Sequence, residues 1–127
     1  MAEFFDLGFT QVEVHEDYIL NTIEEGYHIT LEDNTILFEF AKEFFNNKPF
    51  VYIANRVNSY SVDPTVYMET ARIESLLGVA VVSQQSTQKR QVKLEQTFYK
   101  GKLAYFDTLD KAIAWKNKLV AKKKNNT

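Results

Sequence analysis

The spacing of apolar positions changes period along the chain. Across 9–15, "FTQVEVH", Phe9, Val12 and Val14 stand among polar residues, an imperfect alternation that fits a half-buried strand. Glu16 and Asp17 make a turn, "YILNTI" reads as a second, antiparallel strand, and Glu24, Glu25 and Gly26 close it. The period then becomes helical. Thr30 is a good N-cap, and Asp33 sits three residues later, where a carboxylate favours a helix N-terminus. Ile36, Leu37, Phe40, Ala41 and Phe44 fall on one face of that helix. Pro49 disfavours a helical Lys48 and stops it.

Three later runs are apolar on both alternating sets: "FVYIA" at 50–54, "VAVV" at 79–82 and "LAYF" at 103–106. Two-sided apolar strands are central and usually parallel. Helices are predicted between them. Asp63 as N-cap with Pro64 at the first position starts one. Val66, Thr70, Ile73 and Leu77 line its inner face, and Gly78 ends it. A sparser helix spans 86–99, with Leu94 and Phe98 facing inward. The last helix, 109–122, turns Leu109, Ala112, Ile113, Lys116 and Leu119 inward, and Lys116 keeps its charged head in solvent. The order β-β-α-β-α-β-α-β-α predicts one α/β domain over 1–121, with a mostly parallel sheet of about five strands covered by helices. Crossovers are expected to be right-handed, and 122–127 is a polar, basic tail.

Composition narrows the chemistry. A length of 127 residues fits one domain. There is no cysteine, which excludes disulfides, thiolate catalysis and zinc–cysteine sites. No apolar run approaches the ~20 residues of a membrane span, and "MAEFFDLGF" carries acids where a signal peptide needs bases. A cytoplasmic protein is expected. The net charge of −2 hides a split. Residues 1–47 carry eleven acids against Lys42, a net of −10; residues 84–127 carry eleven bases against Glu95, Asp107 and Asp110, a net of +8. Arg90 is the only arginine of the basic half, and no aromatic-interleaved basic stripe is present, so nucleic acid is not an expected partner.

Catalytic parts are few. The chain has no phosphate-binding glycine loop, and Gly8, Gly26, Gly78 and Gly101 are far apart. His15 and His28, the only histidines, belong to the acidic N-terminal segment and read as surface groups, not metal ligands. A Ser–His–acid triad would need one of them, and nothing nearby marks a nucleophile. The expectation is a non-enzymatic protein with no cofactor and no metal.

The stretch "FDTLDKAIAWKNKL", with Phe106, Thr108, Leu109, Asp110, Ala112 and Trp115 in place, resembles the C-terminal signature of the SpoIIAA-like proteins of the STAS (anti-sigma-factor-antagonist) superfamily. "KPFVYIANR" followed by "YSVDP" resembles the central strand and loop of small bacterial proteins of that group. The resemblance implies strands added in sequence, a fold analogous to that of CRAL-TRIO lipid-binding domains, and an interaction or regulatory role with an unknown protein partner. In STAS antagonists a serine in the loop after the central strand is phosphorylated. Ser59 and Ser61 occupy the comparable loop and are the candidate positions here. The glycine of the family motif is missing from "NSYSVDP", and the carboxylate of Asp63 would repel a phosphate.

The candidate interaction loop is therefore Arg56, Asn58, Ser59, Tyr60, Ser61 and Asp63, with Arg56 expected to pair with Asp63. The alternative is a binder of a small apolar ligand. Ten Phe and seven Tyr are many for this length, and Phe40, Phe44, Phe98 and Tyr99 are the candidate lining of a pocket beneath the 86–99 helix. Two expectations concern assembly. Strands apolar on both faces need a second cover, from "EFFDLGF", from another helix or from a second copy in a homo-oligomer. Strands added in order place the acidic and basic ends at opposite edges, which would favour head-to-tail contacts.

Overall fold

The computed structural model describes residues 2–56 and 61–125, with Ser61 described by its backbone only. The elements are β1 (Glu3–Asp6), β2 (Thr10–Val14), β3 (Tyr18–Ile23), β4 (His28–Ile29), α1 (Leu31–Phe45), β5 (Phe50–Asn55), β6 (Ser61–Val62), α2 (Val66–Thr70), β7 (Leu76–Val82), α3 (Ser86–Glu95), β8 (Leu103–Phe106) and α4 (Leu109–Asn125). Six strands form one sheet in the order β1-β2-β3-β5-β7-β8, and β4 and β6 make a separate parallel pair. β1, β2 and β3 run antiparallel; β3, β5, β7 and β8 run parallel. A predominantly parallel α/β sheet is present, one strand larger than expected.

The extra strand is β1. "EFFD" does not cover the second face; it pairs with β2 along the edge. Phe4 is 74% exposed, while Phe5 meets Phe40 and Phe44 at centroid distances of 4.9 and 6.0 Å. The second face is covered by α4. Ala112 packs there with Leu20, Val51, Ile53, Ala80 and Val82, flanked by Leu109, Ile113, Trp115 and Leu119. On the other face Leu37, Phe38, Ala41 and Phe45 of α1, Val66 and Tyr67 of α2, and Val92 of α3 join Val12, Ile19, Val79 and Val81. The helices therefore divide between both faces, and the apolar second face no longer calls for another copy of the chain.

Thr30 caps α1 as expected. Its Oγ1 accepts from the Asp33 N–H at 3.2 Å, and Asp33 Oδ2 accepts from the Thr30 N–H at 3.1 Å. The phase of α1 differs from the periodic reading. Ile36 and Phe44 are exposed, and Asn34, Leu37, Phe38, Ala41 and Phe45 are buried. Asn34 sets this phase: its amide donates to Glu69 Oε1 at 2.9 Å and Thr70 Oγ1 at 3.1 Å on α2. A buried amide left unpaired costs more than a partly exposed isoleucine.

The helix expected to run to Leu77 ends at Thr70. Leu76 already pairs with Phe50, and Gly78 pairs with Val51. A seven-residue strand bonded on both sides outweighs the local helical spacing. α3 is also turned from its expected orientation: Leu94 and Phe98 are exposed, and Val92, Glu95 and Tyr99 point in.

Charge is distributed differently as well. β1 and β8 do occupy opposite edges, but α4 brings a base back to the acidic segment. Lys116 is buried, against expectation, with Nζ 2.9 Å from Asp17 Oδ1 and 5.0 Å from the Tyr18 ring centroid. Asp17→Asn removes the countercharge of a buried ammonium. It should lower stability by about 1–2 kcal/mol, whereas Lys116→Met keeps the packing and should cost less; urea denaturation of both variants checks the order.

Candidate functional site

Strand β5 delivers Arg56 to the carboxyl end of the sheet, where its N–H donates to the Val82 carbonyl at 2.8 Å. The guanidinium then reaches α3. Nη2 donates to Glu95 Oε1 at 2.7 Å and Nη1 to Glu95 Oε2 at 3.0 Å, a two-pronged pair matching the planar fork of arginine. Nη1 also donates to Gln88 Oε1 at 2.9 Å. The Tyr67 hydroxyl, from α2, donates to Glu95 Oε1. Arg56 and Glu95 are each 4% exposed. Arg56, Tyr67 and Glu95 thus join β5, α2 and α3 through one buried charged cluster. Tyr99 packs against Tyr67 at 5.9 Å, and burial pushes its phenol pKa up.

Arg56 does not pair with Asp63. The Asp63 N–H donates to the Ile29 carbonyl, and its Oδ1 accepts from Thr65 N–H at 3.0 Å and Thr65 Oγ1 at 2.8 Å. These two bonds hold its carboxyl below the usual carboxylate range. Asp63 and Pro64 do lead into a helix, but it is the five-residue α2. Just before Asp63, β6 pairs with β4, Ser61 opposite His28 and Val62 opposite Ile29. The connection after Arg56 is therefore anchored at one end by the charged cluster and at the other by β4 and the Asp63 turn. Asn58, Ser59 and Tyr60 lie outside the described residues.

A cavity of about 40 Å³ lies between the sheet and α1 and α2, touched by Asn21, Asn34, Tyr52, Arg56 and Tyr67. That volume holds no more than a few water molecules. Asn21 accepts from Thr10 Oγ1 and donates to Tyr52 Oη at 2.6 Å, so its amide is satisfied. None of Phe40, Phe44, Phe98 and Tyr99 lines this cavity. Phe40 and Phe44 pack around Phe5, Phe98 is 46% exposed, and Tyr99 lies against Tyr67.

His15 stacks on Tyr18 with centroids 4.2 Å apart, and its Nε2 is 2.6 Å from Glu13 Oε1; His28 is exposed on β4. Among the described residues no group of three or more His, Cys, Asp or Glu is placed to hold a metal ion, and no helix is long and apolar enough to cross a membrane.

Periodicity alone passed over Glu95. The usable signal is its isolation: it is the only acid between 75 and 106, three residues after Val92 and four before Tyr99. An acid that shares a helical face with Val92 and Tyr99 calls for a buried cation once that face, not the one carrying Leu94 and Phe98, turns inward.

No family model matches the chain, and no curated protein matches it. Among solved structures, an uncharacterized protein of the DUF3478 family from Shewanella loihica PV-4, described as having a SpoIIAA-like fold, superposes with a TM-score of 0.57. The sequences are 13% identical, and the match covers 91% of this chain and 95% of the other. With a six-stranded main sheet, helices on both of its faces and a match that covers most of both chains, this chain has a SpoIIAA-like α/β fold.

Proposed function

We propose that the protein is a non-enzymatic interaction module of the STAS kind, whose contact surface is the connection between β5 and α2 together with the exposed side of α2. One observation supports this above the others: the polar groups framing the connection are each engaged within the protein. Arg56 is held by Glu95 and Gln88, Tyr67 by Glu95, and Asp63 by Thr65. Groups fixed this way brace the connection from beneath; they are poorly placed to attack a bond or shuttle a proton. Met68, 63% exposed on α2, adds an adaptable apolar contact beside the connection.

Affinity capture from lysate of the source cells, with the wild type and the Tyr60→Ala and Ser61→Asp variants, tests the reading. A protein retained by the wild type and lost by both variants is the expected result. Identical captured sets for all three would remove this surface from consideration.

A further inference from the structure

The connections leaving β7 and β8 go to opposite faces of the sheet. α3, after β7, places Val92 on the face shared with α1 and α2, whereas α4, after β8, places Ala112 on the other. β7 and β8 are parallel neighbours. In open α/β sheets, the crevice outside the carboxyl ends of two such strands is where ligands bind, because the diverging connections leave room between them.

A crevice is present there. Its volume is about 580 Å³, within the roughly 300–1,000 Å³ typical of small-molecule sites. β5 contributes Asn55; the segment after β7 contributes Ser83, Gln84 and Gln85; the segment after β8 contributes Asp107 and Thr108. Val82 and Leu109 supply its aliphatic surface.

The crevice sets a few polar groups among a larger area of carbon surface, and its charges come in pairs. Arg56 also borders the crevice and is engaged by Glu95. Asp107 is 2.9 Å from Lys111 Nζ, and this lysine, with a smaller effect from Lys89, holds its carboxyl below the usual range. Asp107 is thus an acceptor at neutral pH, exposed enough to keep lone pairs for a ligand. Asn55, Gln84 and Gln85 each offer donors and an acceptor, and Ser83 and Thr108 offer hydroxyls. A second anion would meet Asp107, and a wholly apolar ligand would cover Asp107 and the neighbouring amides without giving them partners. Hydroxyl groups, which donate and accept, match this set, and the C–H faces of a sugar ring suit Val82 and Leu109.

We propose that the crevice between the ends of β7 and β8 binds a small neutral polyol, a free sugar or the sugar portion of a larger molecule, with Asp107 as its principal acceptor. The site adjoins the start of the β5–α2 connection at Asn55 and Arg56 but does not rest on the interaction reading. The probes are D-ribose and D-glucose, titrated to tens of millimolar into the full chain and followed by amide NMR, with inorganic phosphate and hexanoate as contrasting ligands. The expected result is a saturable shift for one of the sugars at Asn55, Ser83, Gln84, Gln85, Asp107 and Thr108. Asp107→Asn, at an exposed position, should leave the remaining spectrum in place and weaken binding about tenfold, the loss of one charge-assisted hydrogen bond. The proposal is overturned by no saturable shift with either sugar, by stronger effects of phosphate or hexanoate at these residues, or by unchanged affinity in Asp107→Asn.

Discussion

Glu95→Ala should destabilise the protein by about 3–5 kcal/mol, the cost of leaving a buried charge without its partner. Arg56 is 4% exposed, both prongs of its guanidinium end on Glu95, and Tyr67 loses its acceptor in the same variant. Total stabilities of such domains are only about 5–15 kcal/mol, so the change removes a large share. The paired replacement Arg56→Met with Glu95→Leu should recover most of the loss, because well-packed apolar groups often replace a buried ion pair without penalty. Urea denaturation of the single and double variants reads this directly. A single variant within about 1 kcal/mol of wild type, as for an exposed pair, would show that the cluster is hydrated and contributes little.

The same cluster decides how α3 is held. That helix buries Val92 and Glu95, and Tyr99 just beyond it, while Leu94 and Phe98 face solvent. With so little apolar anchorage, the ion pair is its principal attachment to β5 and α2. Glu95→Gln, which keeps volume and weakens the pair, should therefore raise amide exchange across 86–99 while β5 and β7 stay protected, the behaviour of a locally opening unit.

The elements were legible where their residues answered to local rules. The Thr30–Asp33 cap, the two-sided apolar strands at 50–54, 79–82 and 103–106, and the final amphipathic helix all depend on nearest neighbours in sequence, and the structure has each. Three of the readings that changed involve long-range polar partners. Asn34 rotates α1 to reach α2, Glu95 rotates α3 to reach Arg56, and Lys116 goes inside to meet Asp17. Hydrophobic periodicity assigns polar residues to water and so cannot anticipate any of the three. The loop at 55–64 was found by its polarity, but the bond that fixes Arg56 comes from a residue thirty-nine positions away. The shortening of the helix after Pro64 has the same origin, since β7 gains two strand partners that no local window contains.

Gly78→Ala tests how α4 closes the second face. Gly78 lies in β7 directly beneath that helix. A methyl group there would stand 2.8 Å from Trp115 Cη2, 3.0 Å from Leu119 Cδ1 and 3.3 Å from the Lys102 carbonyl oxygen. The carbonyl is fixed, because it accepts the Val79 N–H at 2.8 Å within the sheet. The strain therefore falls on α4, whose Trp115 ring also leans on Phe106 at 5.5 Å. Overpacking of this kind costs about 1–3 kcal/mol. Trp115 is the only tryptophan, so its emission reports the docking of α4 without interference from another indole. Gly78→Ala should shift that emission as well as lower the urea midpoint. Trp115→Phe trims the atoms the new methyl meets; combined with Gly78→Ala it should lose less than the sum of the two single changes, a coupling expected only of groups in direct contact. Strict additivity, or an emission spectrum unmoved by Gly78→Ala, would mean that α4 rides higher on the sheet than the Gly78–Trp115 approach requires, and the second apolar face would then need part of its cover from elsewhere.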